Sequence, residues 1–497
     1  MKRIFLLITS LCFINSLSAQ TLADAARFSV FDVNSTARSV GVGGGLSALG
    51  GDFSTLSVNP AGLALYRGRE FTFTPSLVFI NSDAELEGGQ GTQSDQKTNF
   101  NFSNIGLVFH KRPTSTRWTT ANFGVGFNRL ANFHQKITYE GVTRGSITDR
   151  WLELADGFSP NQLDAFEARP AYDAFAIGEF QNDPTFYFSD FVPDDQVLKT
   201  QNITRKGSIN ELVFSFAGNI KERVMVGATV GIPFLRFEEN KTYEESDPDN
   251  AIPEFNFLRY SENLETSGTG INLKLGAIIR FTQAFRLGLA IHTPTAFQLT
   301  DNFNTSVAYD FDANSMNESQ PPADSPLLDF EYNFRTPWRF IGSAGIVVGK
   351  IGFLTGEVEY VNYTGSKYTV NADIATPTDQ SIIDRVNGTI DNQLESNLNF
   401  RFGGEVALQK YRLRGGLNLS GTPYADDSSL DSSLSLGAGV RWKKIFLDIA
   451  YRRSMDNEVY VPYVIGDQEV NGVEISEQQV NIDAVRNKFM ITMGVRF

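Results

Sequence analysis

The chain has 497 residues, with 43 Gly, 41 Phe, 12% aromatic residues, one Cys and a formal net charge of −14. The acidic balance argues against nucleic acid as a partner, and the lone cysteine excludes a disulfide framework and thiolate metal sites. No internal stretch approaches the ~20 apolar residues of a membrane-spanning helix, so a bilayer could be crossed here only by strands.

The first residues read as an export signal. Met1-Lys2-Arg3 is a positive start, Ile4 to Ile14 an apolar run, and the small polar residues after it offer cleavage near Ala19, giving a signal peptide over 1–19. Cys12 falls inside that run. Leu11 before it is not the small residue of a lipid-attachment site, so the mature chain has no cysteine.

The next segment, 20–69, has its own character. Gly41, Gly43, Gly44 and Gly45 allow close backbone approach. Asp52 is placed to cap a turn over Phe53 to Ser57, while Asn59 and Pro60 read as N-cap and first residue of a second short helix. A phosphate-cradling loop is excluded, because no Gly-Lys-Ser/Thr follows and no G-x-G-x-x-G is completed.

From Glu70 to the last residue the period is two. The end shows it: Phe489, Ile491, Met493, Val495 and Phe497 alternate with small or polar residues. Strands are expected at 71–80, 99–110, 118–139, 208–218, 223–238, 270–281, 285–299, 334–348, 351–363, 397–408, 411–420, 434–442, 445–453 and at the C-terminus. Long and short connections alternate strictly between these fourteen strands, whereas a propeller or β-helix would repeat at a fixed length. The fold class is therefore all-β: a 14-stranded antiparallel transmembrane β-barrel with long external loops and both termini on the inner side. Side chains alone do not fill a barrel of that width. The segment 20–69 is accordingly read as an N-terminal hatch, or plug, in the lumen, and 70–497 as the barrel.

The alternation also nominates residues. In the third strand Gly124 and Gly126 share a face with Asn122 and Asn128, which suits either a lateral opening or close approach to a plug. In the long loop that follows, Ser159-Pro160-Asn161-Gln162 is a capping pattern, and Leu163, Phe166 and Phe175 offer apolar contacts, either for capturing a substrate or for packing the loop on the rim. Pro170 is expected to stop the first loop helix. Outward Leu273/Leu275, Trp338/Phe340 and Phe400/Phe402 set Lys274, Arg339 and Arg401 inward, where each is placed to meet a substrate carboxylate or to pair across strands with glutamates such as Glu357, Glu359 and Glu405. His110, His134 and His292 lack metal-ligand spacing, and no G-x-S-x-G elbow is present, so no metal, cofactor or enzymatic activity is expected.

The stretch ARSVGVGGGLSALGGDFSTLSVNPAGLA, Ala37 to Ala64, with its Asn59-Pro60-Ala61 motif, resembles the N-terminal hatch of the FadL/TodX outer-membrane transporters of hydrophobic compounds. The resemblance continues through Arg286 to Leu299, Thr336 to Tyr363 and Phe400 to Tyr424. It implies a monomeric barrel in a Gram-negative outer membrane, in contact with membrane lipid and gated by the hatch. It further implies passive uptake of long-chain fatty acids or other hydrophobic compounds, with lateral release where the third strand kinks. The alternative is a barrel of the same shape serving as a partner-binding component in secretion or surface assembly.

Overall fold

The structure is a computed structural model that describes residues 15–32, 35–114, 117–192, 194–253, 255–310, 321–370, 376–466, 468–470, 473–475 and 477–497. Most of the expected signal peptide lies outside these residues. Its last residues begin helix α1 (Asn15–Ser29), which runs across the expected cleavage point.

Fourteen antiparallel strands close into a barrel. They are β1 (Glu70–Leu86), β2 (Thr92–Lys111), β3 (Trp118–Asn132 and Gln135–Arg144), β4 (Gln196–Ile220), β5 (Val224–Ser246), β6 (Phe257–Arg280) and β7 (Phe285–His292 and Ala296–Asp310). Then come β8 (Leu328–Arg335 and Arg339–Val348), β9 (Gly352–Asn362), β10 (Ser396–Leu408), β11 (Tyr411–Gly421), β12 (Leu430–Arg441), β13 (Ile445–Tyr460) and β14 (Val480–Arg496). Each pairs with its sequence neighbour, and β14 closes on β1 from Glu70↔Arg496 to Leu86↔Val480.

The polarity of the wall is the reverse of a soluble protein's. On β9, Leu354, Val358 and Tyr360 project outward and exposed while Thr355, Glu357 and Glu359 point inward and buried. The same holds for Leu273 and Leu275 around Lys274, and for Phe400 and Phe402 around Arg401. An exterior of Leu, Val and Phe around an interior of ion pairs is stable only when the outer solvent is hydrocarbon, so these strands cross a membrane.

Several strands run well beyond their expected limits: β4 begins at Gln196 where the alternation suggested 208, and β6 at Phe257 where it suggested 270. These extensions carry a lid on the long-loop side. Helix α4 (Ile147–Ala155) starts with a capping box of Ser146 and Asp149, and Glu245 on β5 anchors it by accepting from Ser146 Oγ at 2.5 Å and Ile147 N at 2.8 Å. Trp151, wholly buried, meets Tyr260 edge-on at 5.8 Å. Pro170 does not stop a helix. It lies inside α5 (Ala168–Asp173), in the first turn, where a missing N–H costs no intrahelical bond. A further helix, α6 (Pro377–Gln393), begins with a second capping box at Thr376 and Asp379 and packs Ile383, Val386 and Ile390 over the lumen cluster that includes Leu22, Ala25 and Phe28 of α1.

Candidate functional site: the barrel lumen

The N-terminal segment enters the lumen in two tiers. α1 fills the half nearer the long loops, where Phe28 contacts Phe133, Phe237 and Phe334 at 5.9–6.4 Å. Helices α2 (Ala37–Gly41) and α3 (Thr55–Val58), with the 3₁₀ turn Pro60–Leu65, fill the half nearer the short turns.

Contacts in the second tier explain why the wall there is made of glycine. A Cβ on Gly106 or Gly126 would fall on the Phe53 ring, and one on Gly124 would stand 2.7 Å from Leu56. Gly124 and Gly126 are thus seats for the segment's side chains, in a stretch of β3 that is fully paired on both sides. Asn122 Nδ2 donates to Leu63 O at 2.7 Å, and Asn128 Nδ2 to Ser57 Oγ at 2.8 Å.

Asn59, Pro60 and Ala61 lie at the centre of this tier. Asn59 Oδ1 accepts from Ala61 N at 3.2 Å, capping the turn that Pro60 opens. Its Nδ2 donates to Ser47 O at 2.9 Å within the segment and to Ala277 O at 3.3 Å on β6. One amide side chain therefore ties the turn, the preceding loop and the wall together, and Gly276 leaves it room.

The inward cations are ion-paired. Lys274 pairs with Glu211, which also accepts from Asn272 Nδ2 at 2.9 Å and Ser57 Oγ at 3.1 Å. Arg339 reaches Glu359 at 3.0 Å and donates to Ser29 O. Arg401 bridges Glu357 at 2.7 Å and Glu359 at 2.6 Å. A substrate carboxylate at any of the three would have to compete with a glutamate already in place.

The loop residues divide. Leu163 is part of the lid's core, Phe166 lies against Phe303 on β7 at 5.6 Å, and Phe175 stands 59% exposed. Phe175 has φ +63, a conformation costly for a residue with a side chain, so the lid fold holds it there. Burial outweighs the neighbouring Arg150 guanidinium and raises the Glu167 carboxyl above its ordinary 4.5.

Two features lie where the residues did not place them: the kink that the resemblance implied in the third strand is away from Gly124 and Gly126, and a cavity adjoins it. First, the β2–β3 ladder runs from Lys111↔Ala121 only as far as Asn104↔Asn128. Beyond it β2 pairs only with β1, and the outer segment of β3 pairs only with β4. That segment leans into the barrel, where Ile137 and Tyr139 pack on Ala84, Leu86 and Ile482, and Gln135 Nε2 reaches Ser82 on β1 at 3.3 Å. The break lies at Phe133-His134, opposite Gly207, whose φ of +115 and whose closeness to Arg236 O exclude a side chain. The only local cue was Asn132-Phe133-His134 interrupting the polar alternation. Second, a cavity of about 350 Å³ lies beside the C-terminal end of α1 near this gap, bounded by Phe31, Ala131 and Phe133 on one side and by β10–β14 on the other.

No family model matches the sequence, and no curated protein matches it. Among solved structures the chain is similar to a FadL homologue of Pseudomonas aeruginosa, with TM-score 0.55 and 13% identity over 94% of this chain and 100% of that one. It is also similar to the toluene transporter TodX of P. putida, with TM-score 0.50 and 10% identity over 92% and 97% of the two chains. The chain thus has the fold of the FadL-type barrels.

Proposed function

We propose that this protein is a FadL-family channel of the outer membrane for passive uptake of hydrophobic compounds, with 20–69 as its hatch and the unpaired stretch between β2 and β3 as a lateral exit. The observation that carries the reading is the gap in the ladder after Asn128, bordering the cavity. Backbone N–H and C=O groups cannot be left unpaired against lipid, so a break of this length is tolerated only where it borders a wetted or substrate-filled space. The fold supports the same reading, since the similar structures include a toluene transporter. Fatty acids and neutral hydrocarbons both fit the class. The Asn59-Pro60-Ala61 turn, seated by Asn59 on β6, is the hatch's anchor in this reading.

The test is uptake of a labelled long-chain fatty acid and of labelled toluene by cells lacking the protein, complemented with the intact chain or with Pro60→Leu at verified surface level. Restoration by the intact chain supports the channel. Failure to restore uptake of these two and of every other apolar or amphiphilic probe overturns it.

A further inference from the structure

The cavity beside the end of α1 has two unlike walls. Val30, Phe31, Ala131 and Phe133 form an apolar one. The opposite wall is a transverse polar row: Arg401 faces Asn418, Asn418 faces Ser433, Ser433 faces Ser454, and Ser454 faces Arg486, all in direct register. Ser433 Oγ has no hydrogen-bond partner among the described residues, and neither does Asn399 Oδ1, two positions before Arg401, although these residues are only 4% and 7% exposed. A buried polar atom left unpaired costs about 1–3 kcal/mol, so a wall carrying two of them is completed by water or by a polar ligand.

Charge then separates one polar ligand from another. Arg401 is held by Glu357 and Glu359, Arg452 by Asp32, Arg486 by Asp456, Arg339 by Glu359 and Arg27 by Asp24. The lining groups with no ion pair among the described residues are Lys488 and Asp431, one of each sign. No surplus positive charge remains to draw in a carboxylate, whereas hydroxyl groups suit a row of Ser and Asn that both donates and accepts.

We propose that this cavity binds an amphiphile with an uncharged, hydroxyl-rich headgroup of the glycosyl or polyol type. The headgroup bonds to the Asn418–Ser433–Ser454 row, and the alkyl chain lies on the Phe31 and Phe133 wall. The proposal rests on the uptake reading above and narrows its substrate class.

The test is calorimetric titration of the barrel in lipid nanodiscs with three probes of equal chain length: dodecyl maltoside, dodecanoate and dodecane. The maltoside should bind at least about tenfold more tightly than the other two, a difference of about 1.4 kcal/mol. Ser433→Leu should weaken maltoside binding about tenfold and leave dodecanoate unchanged, while Ser433→Asn, which keeps the hydrogen bonding, should retain it. Heat-modified migration checks that each variant is a folded barrel, and Ser454→Leu replaces Ser433→Leu if the latter fails to assemble. Equal affinity for maltoside and dodecanoate, or a folded leucine variant that binds maltoside as before, overturns the proposal. Vesicle uptake of all three probes without preference would also overturn it and leave the channel intact, whereas uptake of none would overturn the channel reading itself.

Discussion

The lower and upper halves of the lumen are built on the same strands with the same alternation, yet they solve opposite problems. Below, the wall residues are Gly106, Gly124, Gly126 and Gly276, and protein fills the space against them down to van der Waals contact. Above, Asn418, Ser433 and Ser454 face a cavity. The lesson is that a barrel's inner face records what lies against it: glycine where backbone and rings must approach, hydroxyl and amide where the occupant is not part of the chain.

The strongest way to break the contrast is to empty the lower half. Deleting 20–69 should leave a heat-modifiable barrel whose single-channel conductance in planar bilayers rises by about an order of magnitude, because side chains alone do not fill a barrel this wide. Unchanged conductance would count against the hatch. Next in size is the buried pair of Lys274 and Glu211. Lys274→Met leaves a charge uncompensated among Asn272 and Ser57, and should lower unfolding stability by about 3–5 kcal/mol in a denaturant titration. Asn59→Leu removes three hydrogen bonds and adds bulk against Gly276, which should cost the seating of this lumen segment about 2–3 kcal/mol and appear as faster hydrogen exchange confined to 47–66.

The smallest effect concerns the lid. Burial raises the carboxyls of Glu167 and Asp149 above their ordinary values of 4.5 and 3.8. For an acid whose folded value is raised, the stabilising contribution is complete below the unfolded value and is lost as pH rises through the folded one. Lid amides over 147–173 should therefore be more protected near pH 4 than at pH 7, after correction for intrinsic exchange. The opposite trend would show that Arg150 outweighs burial at Glu167.

Much of the fold was legible because one rule, outward apolar and inward polar, runs through every strand. It placed Leu273 and Leu275 outside and Lys274 inside without knowledge of any neighbour. What it could not supply was the partner across the strand: that Arg401 meets Glu357 and Glu359 follows from register, which alternation leaves open. Gly124 and Gly126 were conspicuous for the same reason, but the ring of Phe53 that requires glycine at Gly126 is over seventy positions away in sequence. Helices α4 and α6 did announce themselves, through Ser146 with Asp149 and Thr376 with Asp379, and those capping boxes went unread inside polar loops. The break in β3 was the least legible, since it depends on Gly207 of the next strand.

The account's central claim is that cargo leaves through the gap between β2 and β3. Asn132 Nδ2 stands 3.4 Å from Asn99 Oδ1 across that gap, and the sequence has a single cysteine, Cys12, to be replaced by serine in the test. The most direct measurement is uptake, before and after oxidation, of whichever labelled probe the intact chain carries, by an Asn99→Cys/Asn132→Cys barrel. Uptake lost in the oxidised form and restored by reductant is the predicted result. Uptake that continues unchanged through the cross-linked wall would contradict the lateral exit.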